Sequence, residues 1–476
     1  MPPRSRCEQC VTDKITPMTN DLANFDVDWA WAPYVPSAER PWTRRLAAHL
    51  YRRAGFSATS GQLDAAVSAG ANATVDTLCT PASSTASADF DRAVATLAER
   101  TAAGGNPQQL PAWWLYRMVG THDPLLEKLT LFWHGHFATS AAKVDKPRLM
   151  LAQNELFRQH ARGKFEALVK AVSRDPAMLL YLDSTSNRRI RPNENYAREL
   201  LELFCLGVGN YTEKDIKEVA RAFTGWEVRA DKFAFNPIQH DTGTKTFFGR
   251  SGNFDGDQAV RIVLDQPAAA QFIARKLIRF FAFDEPTPSD ALVEPLAKKL
   301  RETDFETGPA VRMLLGSNLF FSEHAVGRKV RSPVELCVGL LRALGGTTNL
   351  LKAAQGLSEL GQALFFPPNV KGWDGGRAWI NSSTLLGRAN FVRRLLLAGE
   401  TKFAGGLPSV ADAAGATTPP QTVDWLLELL VAVPVPAGAR DVLVTLAADT
   451  NGPSDRGRRI VELVHAIGTL PEFHLA

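Results

Sequence analysis

From Trp42 to residue 399, apolar side chains recur at helical spacing in one short stretch after another. Glycine, proline or small polar residues punctuate the stretches. A chain patterned this way must bury many separate helical faces, which predicts a mainly α fold, a multi-helix globular body. Period-two alternation interrupts the pattern once. Lys232 to Phe248 alternates aromatic and polar residues around Asp241-Thr242-Gly243, which predicts a small β-hairpin insertion near 232–250.

The boundaries carry recognisable chemistry. Gly55 stops a first helix over Trp42 to Ala54. Asp123-Pro124 starts another that runs to about Phe137. Thr212 with Asp215 is a capping-box-like entry to a helix over 213–225, and a further helix is expected over 193–206. Residues 1–38 read as an irregular leader whose Trp29, Trp31 and Tyr34 can clamp onto the body. Residues 39–400 read as the main helical domain. The Gly/Ala/Pro/Thr-rich stretch 401–420 reads as a flexible linker, and 421–476 as a C-terminal helical segment packing on the body.

Bulk properties remove several function classes. The net charge is only +4 across 476 residues, with no Lys/Arg-rich run, so no nucleic-acid partner is expected. No apolar run approaches the ~20 residues of a membrane span. The longest, Trp425 to Pro436, is broken by Glu428 and Pro434. No apolar signal region is visible near Met1, so the expected compartment is the cytoplasm, with export left open. Five cysteines are too few and too odd in number for a disulfide framework. The Cys7-x-x-Cys10 pair lacks a second pair at zinc-site spacing and reads as incidental, in a leader before Met18, itself a candidate start.

Four clusters hold residues able to do chemistry. The first is Phe132-Trp133-His134-Gly135-His136-Phe137. His134 and His136 converge on one metal ion only if the backbone breaks at Gly135, because on a continuous helix they diverge by about 200°. The second is Asn193-Glu194-Asn195-Tyr196-Ala197-Arg198-Glu199-Leu200-Leu201-Glu202-Leu203-Phe204, where Glu194 and Arg198 share one face and Asn195, Glu199 and Glu202 another. Paired carboxylates suit acid/base work or a cation. The plainer reading is an ion-pair network of Glu194–Arg198 and Arg198–Glu202. The third is His240-Asp241-Thr242-Gly243-Thr244-Lys245, a small ligand cluster or simply turn chemistry. The fourth runs from Phe366 to Asn381, where Trp373 and Trp379 offer flat faces for a sugar or planar ligand, or pin the loop to the body.

Further strings in the same order are RDPAMLLYLD from Arg174, GVGNYTEKDIKEVARAFTGW from Gly207, KVRSPVE from Lys329 and PPNVKGWDGGRAWINS from Pro367. Together with FWHGHFATS from Phe132 and NENYARELLELF from Asn193, they resemble the bacterial family known as domain of unknown function number 1800. The resemblance runs from about Leu46 to Phe391, with a weaker echo at Pro471-Glu472-Phe473. It implies a mostly helical protein and no established activity, substrate or cofactor. It also implies that relatives are often exported beside a sulfatase-like companion family, which makes such a protein an expected partner.

Two readings are open. In the first, His134, His136, Glu202, His240 and Asp241 hold a divalent metal (zinc, manganese or iron) in one cleft. Glu194, Arg198, Glu199 and Lys245 then act as catalytic groups, and Trp226, Asn369, Trp373 and Trp379 bind substrate. Hydrolysis is the first expected reaction and oxidation the second. In the other, the same clusters are structural, and the Trp-rich loop binds a small molecule, a glycan or a protein partner without catalysis.

Overall fold

The computed structural model describes residues 26–403, 405–449 and 455–476. Cys7, Cys10 and Met18 lie outside the described residues. The fold is mainly α, with three small two-stranded antiparallel sheets among the described residues. No helix of the described residues is long and apolar enough to cross a membrane.

The helix Pro124–His136 is the structural centre. Asp123 caps it by accepting the Leu126 N–H at 3.1 Å, and Pro124 occupies the first turn, where its missing N–H costs nothing. The helix is apolar nearly all round, so it is buried on every side. Leu125, Leu129, Phe132 and Trp133 enter one core, shared with the helices Phe165–Arg174, Gly256–Leu264, Pro267–Phe281 and Asp290–Glu302. Leu131 enters a second, shared with Leu110–Gly120, Pro333–Ala343 and the C-terminal helices Pro419–Leu430 and Arg456–Gly468. Glu127 and Lys128, on the same helix, are buried and must therefore be paired.

The helix expected over 193–206 changes its hand-hold midway. Asn195–Glu199 is α-helical, and Leu200–Cys205 continues as a π-helix closed by the Leu206 N–H on the Leu201 carbonyl at 3.0 Å. The wider turn brings Leu200, Leu201, Phe204 and Cys205 into the core together.

The β insertion differs from the single hairpin expected. Trp226–Arg229 pairs with Lys232–Phe235, and Lys245–Phe247 pairs with Arg250–Gly252. The turns sit at Ala230-Asp231 and Phe248-Gly249, all at positive φ, as two-residue hairpin turns require. Asp241-Thr242-Gly243 is thus a connector between hairpins and no hairpin tip.

One further expectation is revised. Residues 401–420, read as a flexible linker, contain a strand, Lys402–Phe403, paired with Gly346–Thr347. They also contain a helix, Gly406–Ala413, whose Leu407 and Ala411 are buried in the second core. Their small side chains serve close packing there. In the leader, Trp31 and Tyr34 are buried, and the Trp31 indole donates to the Leu292 carbonyl at 2.9 Å. Trp29 stays exposed beneath the Arg40 guanidinium.

Candidate functional site

The helices Pro124–His136 and Pro267–Phe281, the segment 329–335 and the loop 371–379 enclose a cleft of about 440 Å³. Its wall is aromatic and basic. Phe132, Phe280, Trp373 and Trp379 line it beside Lys276, Arg279, Lys329 and Lys371. The loop can lie this close because Gly372, at φ +83, has no side chain. A methyl group there would collide with the Gly135 carbonyl.

The carboxylates of the cleft are already spoken for. Asp284 accepts from Lys329 Nζ at 2.8 Å and from the Val330 N–H at 2.8 Å. Asp374 pairs with Lys371 at 2.8 Å. Glu335 pairs with buried Lys128 and accepts the Ser332 N–H at 2.7 Å. Burial pushes the Glu335 carboxyl up, but Lys128 and Lys329 outweigh that and hold it at about 2. Behind Glu335 lie more cations. Arg53, Arg331 and Arg388 are buried and all feel its charge. Arg53 and Arg388 each keep Nε and Nη1 without a hydrogen-bond partner among the described residues. Arg279 is exposed to the cleft and forms no ion pair among the described residues. Positive charge therefore exceeds negative charge here, both at the surface and beneath it.

Lys276 has the most unusual setting. Its Nζ donates to His136 Nδ1 at 2.9 Å and to the Leu203 carbonyl at 3.0 Å. The His136 tautomer follows from its other contact. Nε2 lies 2.9 Å from the Phe204 carbonyl, which can only accept, so Nε2 carries the proton and Nδ1 offers a lone pair. Both carbonyls come from the C-terminal end of the π-helical segment, where backbone acceptors lack intrahelical donors. Burial, and then the nearby Lys276 charge, hold the His136 imidazole neutral. Burial draws the Lys276 ammonium down to about 7, and no carboxylate among the described residues pairs with it.

Of the residues expected at one site, His136, Trp373 and Trp379 line this cleft. The helix continues unbroken through Gly135 to His136, so the two imidazoles diverge instead of converging. His134 turns away and accepts the Phe365 N–H at Nε2, 3.1 Å, with its ring 5.7 Å from that of Trp373. Burial pulls it to about 3. Asn369 is exposed and shapes the loop, accepting the Lys371 N–H at 2.9 Å.

The others are held elsewhere. Arg198 pairs with Glu194 and Glu213, where the sequence suggested Glu194 and Glu202. Glu202 accepts from the Tyr211 hydroxyl at 2.8 Å. Half-buried Glu199 is raised by burial and by Glu202. Asp241 pairs with Arg221 at 2.7 Å, and His240 donates from Nδ1 to the Thr224 carbonyl at 2.9 Å. Lys245 is fully buried and donates to the Asp241 carbonyl and to Asn253. Trp226 is buried between Phe223 and Phe233 under Arg174. Among the described residues no three His, Cys, Asp or Glu side chains gather as a metal site would require. The thirteen-residue cleft drawn from the sequence is therefore not one place, because its members are engaged in separate local ion pairs, hydrogen bonds and ring contacts.

Sequence reasoning missed Lys276, Arg279, Asp284, Lys329 and Glu335. The string KVRSPVE holds two of them, Lys329 and Glu335, but nothing in the string itself assigns them a role. Lys276 and Arg279 sit in an amphipathic helix, where charged residues at helical spacing carry no signal of their own.

Comparison with curated proteins and with solved structures returns no match. The family model described as protein of unknown function, DUF1800, matches residues 49–475, nearly the whole chain. This chain therefore belongs to the DUF1800 family, whose function is unknown.

Proposed function

We propose that this protein binds an anionic small molecule in the cleft beside Lys276, with the Trp373–Trp379 loop as an aromatic wall. The observation that carries the reading is the excess of cations. Asp284, Glu335 and Asp374 are neutralised by Lys329, Lys128 and Lys371, and Arg279 at the opening has no ion-pair partner among the described residues. Arg53, Arg331 and Arg388 add positive potential from behind. In a partly desolvated cleft such a field favours a carboxylate or phosphate. A cleft of about 440 Å³ is the size of a small-molecule site. Trp373, half-buried, offers a face on which a ring or planar part of the ligand can stack.

The metal-dependent hydrolase or oxidoreductase reading draws no support from these contacts. One ring nitrogen of His134 and both of His136 are already engaged with main-chain groups and Lys276. The glycan-binding reading shares the tryptophan wall, and the cation excess turns it toward an acidic ligand.

Titration of the intrinsic tryptophan fluorescence with a panel of carboxylates and organic phosphates tests the proposal. Binding by at least one anion is expected, about ten-fold weaker in Arg279→Gln, the loss of one charge-assisted contact. A Trp373→Ala protein that still melts like wild type should lose the fluorescence response. Equal affinity for neutral analogues would overturn the reading.

A further inference from the structure

We propose that Lys276 is a nucleophile, capturing the carbonyl carbon of a 2-oxo acid in this cleft as an imine. The inference rests on the anion-binding reading of the same site and adds the substrate class and the reacting atom.

The geometry around Nζ supports it. A neutral amine has two N–H bonds and one lone pair. Here two acceptors stand behind the nitrogen, the Nδ1 lone pair of His136 and the Leu203 carbonyl. His136 cannot reverse its bond, because its own N–H is committed to the Phe204 carbonyl. With both N–H groups directed inward, the lone pair is left for the side on which Lys276 lines the cleft. An ordinary surface lysine is protonated at neutral pH, with a pKa of about 10.4. Lys276 is drawn down to about 7 by burial, and Arg279 lowers it further, against an opposing effect of the Cys205 thiol. A desolvated lysine beside another cation is one recognised form of activated amine.

Arg279 lies one helical turn along from Lys276 and faces the same opening. A compound with a carboxylate next to its carbonyl can pair with Arg279 while its carbonyl carbon meets Nζ. Its remaining side chain would run toward Trp373. The step balances without any redox partner. The amine lone pair forms the C–N bond and the carbonyl oxygen takes a proton. The resulting carbinolamine then loses that oxygen as water with the second amine hydrogen, leaving C=N.

Two reagents test the proposal on the intact protein. Formaldehyde with cyanoborohydride methylates free amines and reports nucleophilicity without needing the natural ligand. Peptide mapping should show Lys276 methylated with half-maximal rate near pH 7, while exposed Lys298 and Lys352 follow the ordinary alkaline profile. Pyruvate with borohydride should leave one reduced adduct, on Lys276, lost in Lys276→Arg and about ten-fold favoured over acetone. Arg279→Gln should cut pyruvate capture about ten-fold relative to the same variant's formaldehyde capture. Lys276 reacting in step with Lys298 would overturn the nucleophile. Fast methylation with no preference for pyruvate, in wild type or Arg279→Gln, would overturn the anionic class and the anion-binding reading, while sparing the activated amine.

Discussion

Lys276 donates from Nζ to Nδ1 of His136 at 2.9 Å, across the gap between the helices Pro267–Phe281 and Pro124–His136. The bond joins a basic residue of one helix to a neutral imidazole of another. It exists because the π-helical segment Leu200–Cys205 ends beside them and presents two free carbonyls. One carbonyl sets the imidazole tautomer and the other anchors the amine. A small departure from regular helix thereby determines the protonation chemistry of the cleft.

Lys276 should cost the fold stability at neutral pH. Its folded pKa lies below its unfolded one, so between about 7 and about 10.4 the unfolded chain binds more protons and stability rises with pH. Lys276→Met removes this dependence. Its stability advantage over wild type, read from urea melts, should shrink as pH rises through that window. A constant difference would contradict the setting described for Lys276.

Glu335→Gln should be severely destabilising, by about 3 kcal/mol or more, because it leaves buried Lys128 facing Lys329 and Arg53 without compensation. The carboxyl is held at about 2, below the unfolded value of about 4.3. Its contribution is therefore complete above the unfolded value and lost as pH falls toward 2. Thermal melts of wild type and variant should converge in acid, and a difference persisting there would argue against the pairing.

Gly372→Ala should lift the tryptophan loop from the helix end. The position combines φ +83 with a collision against the Gly135 carbonyl, together costing about 1–3 kcal/mol. A red-shifted tryptophan emission and weakened anion binding are expected, with the helical circular dichroism preserved. Unchanged emission would mean the loop is not seated as described.

Lys245→Met should behave as a purely structural change. The ammonium is fully buried and ties together Asp241, Gly243 and Asn253. The variant should melt earlier and bind anions at the cleft with wild-type affinity. Lost binding in a protein that still folds would return the His240–Lys245 cluster to the functional site.

Helices were legible wherever a cap and an apolar period agreed, as at Asp123-Pro124 and Thr212–Asp215. The two hairpins were compressed into one because positive-φ turns at Ala230-Asp231 and at Phe248 use residues that do not announce them. Part of the FWHGHF string and the tryptophan loop border the cleft. The centre stayed hidden. Lys276 and Arg279 look in one dimension like any charged pair on an amphipathic helix, and only the fold brings His136 and the Leu203 carbonyl to them. The stretch 194–202 is dense in charge, yet Glu194, Arg198 and Glu202 are answered locally, by Arg198, Glu213 and Tyr211. Counting ionisable residues does not distinguish a satisfied network from a site. The informative charges are those left without partners.

The central claim is that the cleft is built for an anion, and ligand-dependent thermal stability tests it most directly. A ligand that binds only the folded state raises the melting temperature with its concentration. Pyruvate and its larger 2-oxo acid homologues, with their neutral ketone counterparts, would be compared on wild type and Arg279→Gln. The account predicts concentration-dependent stabilisation of wild type by at least one oxo acid, none by the ketones, and a clearly smaller shift in Arg279→Gln. No shift with any oxo acid, or equal shifts in the two proteins, would contradict it.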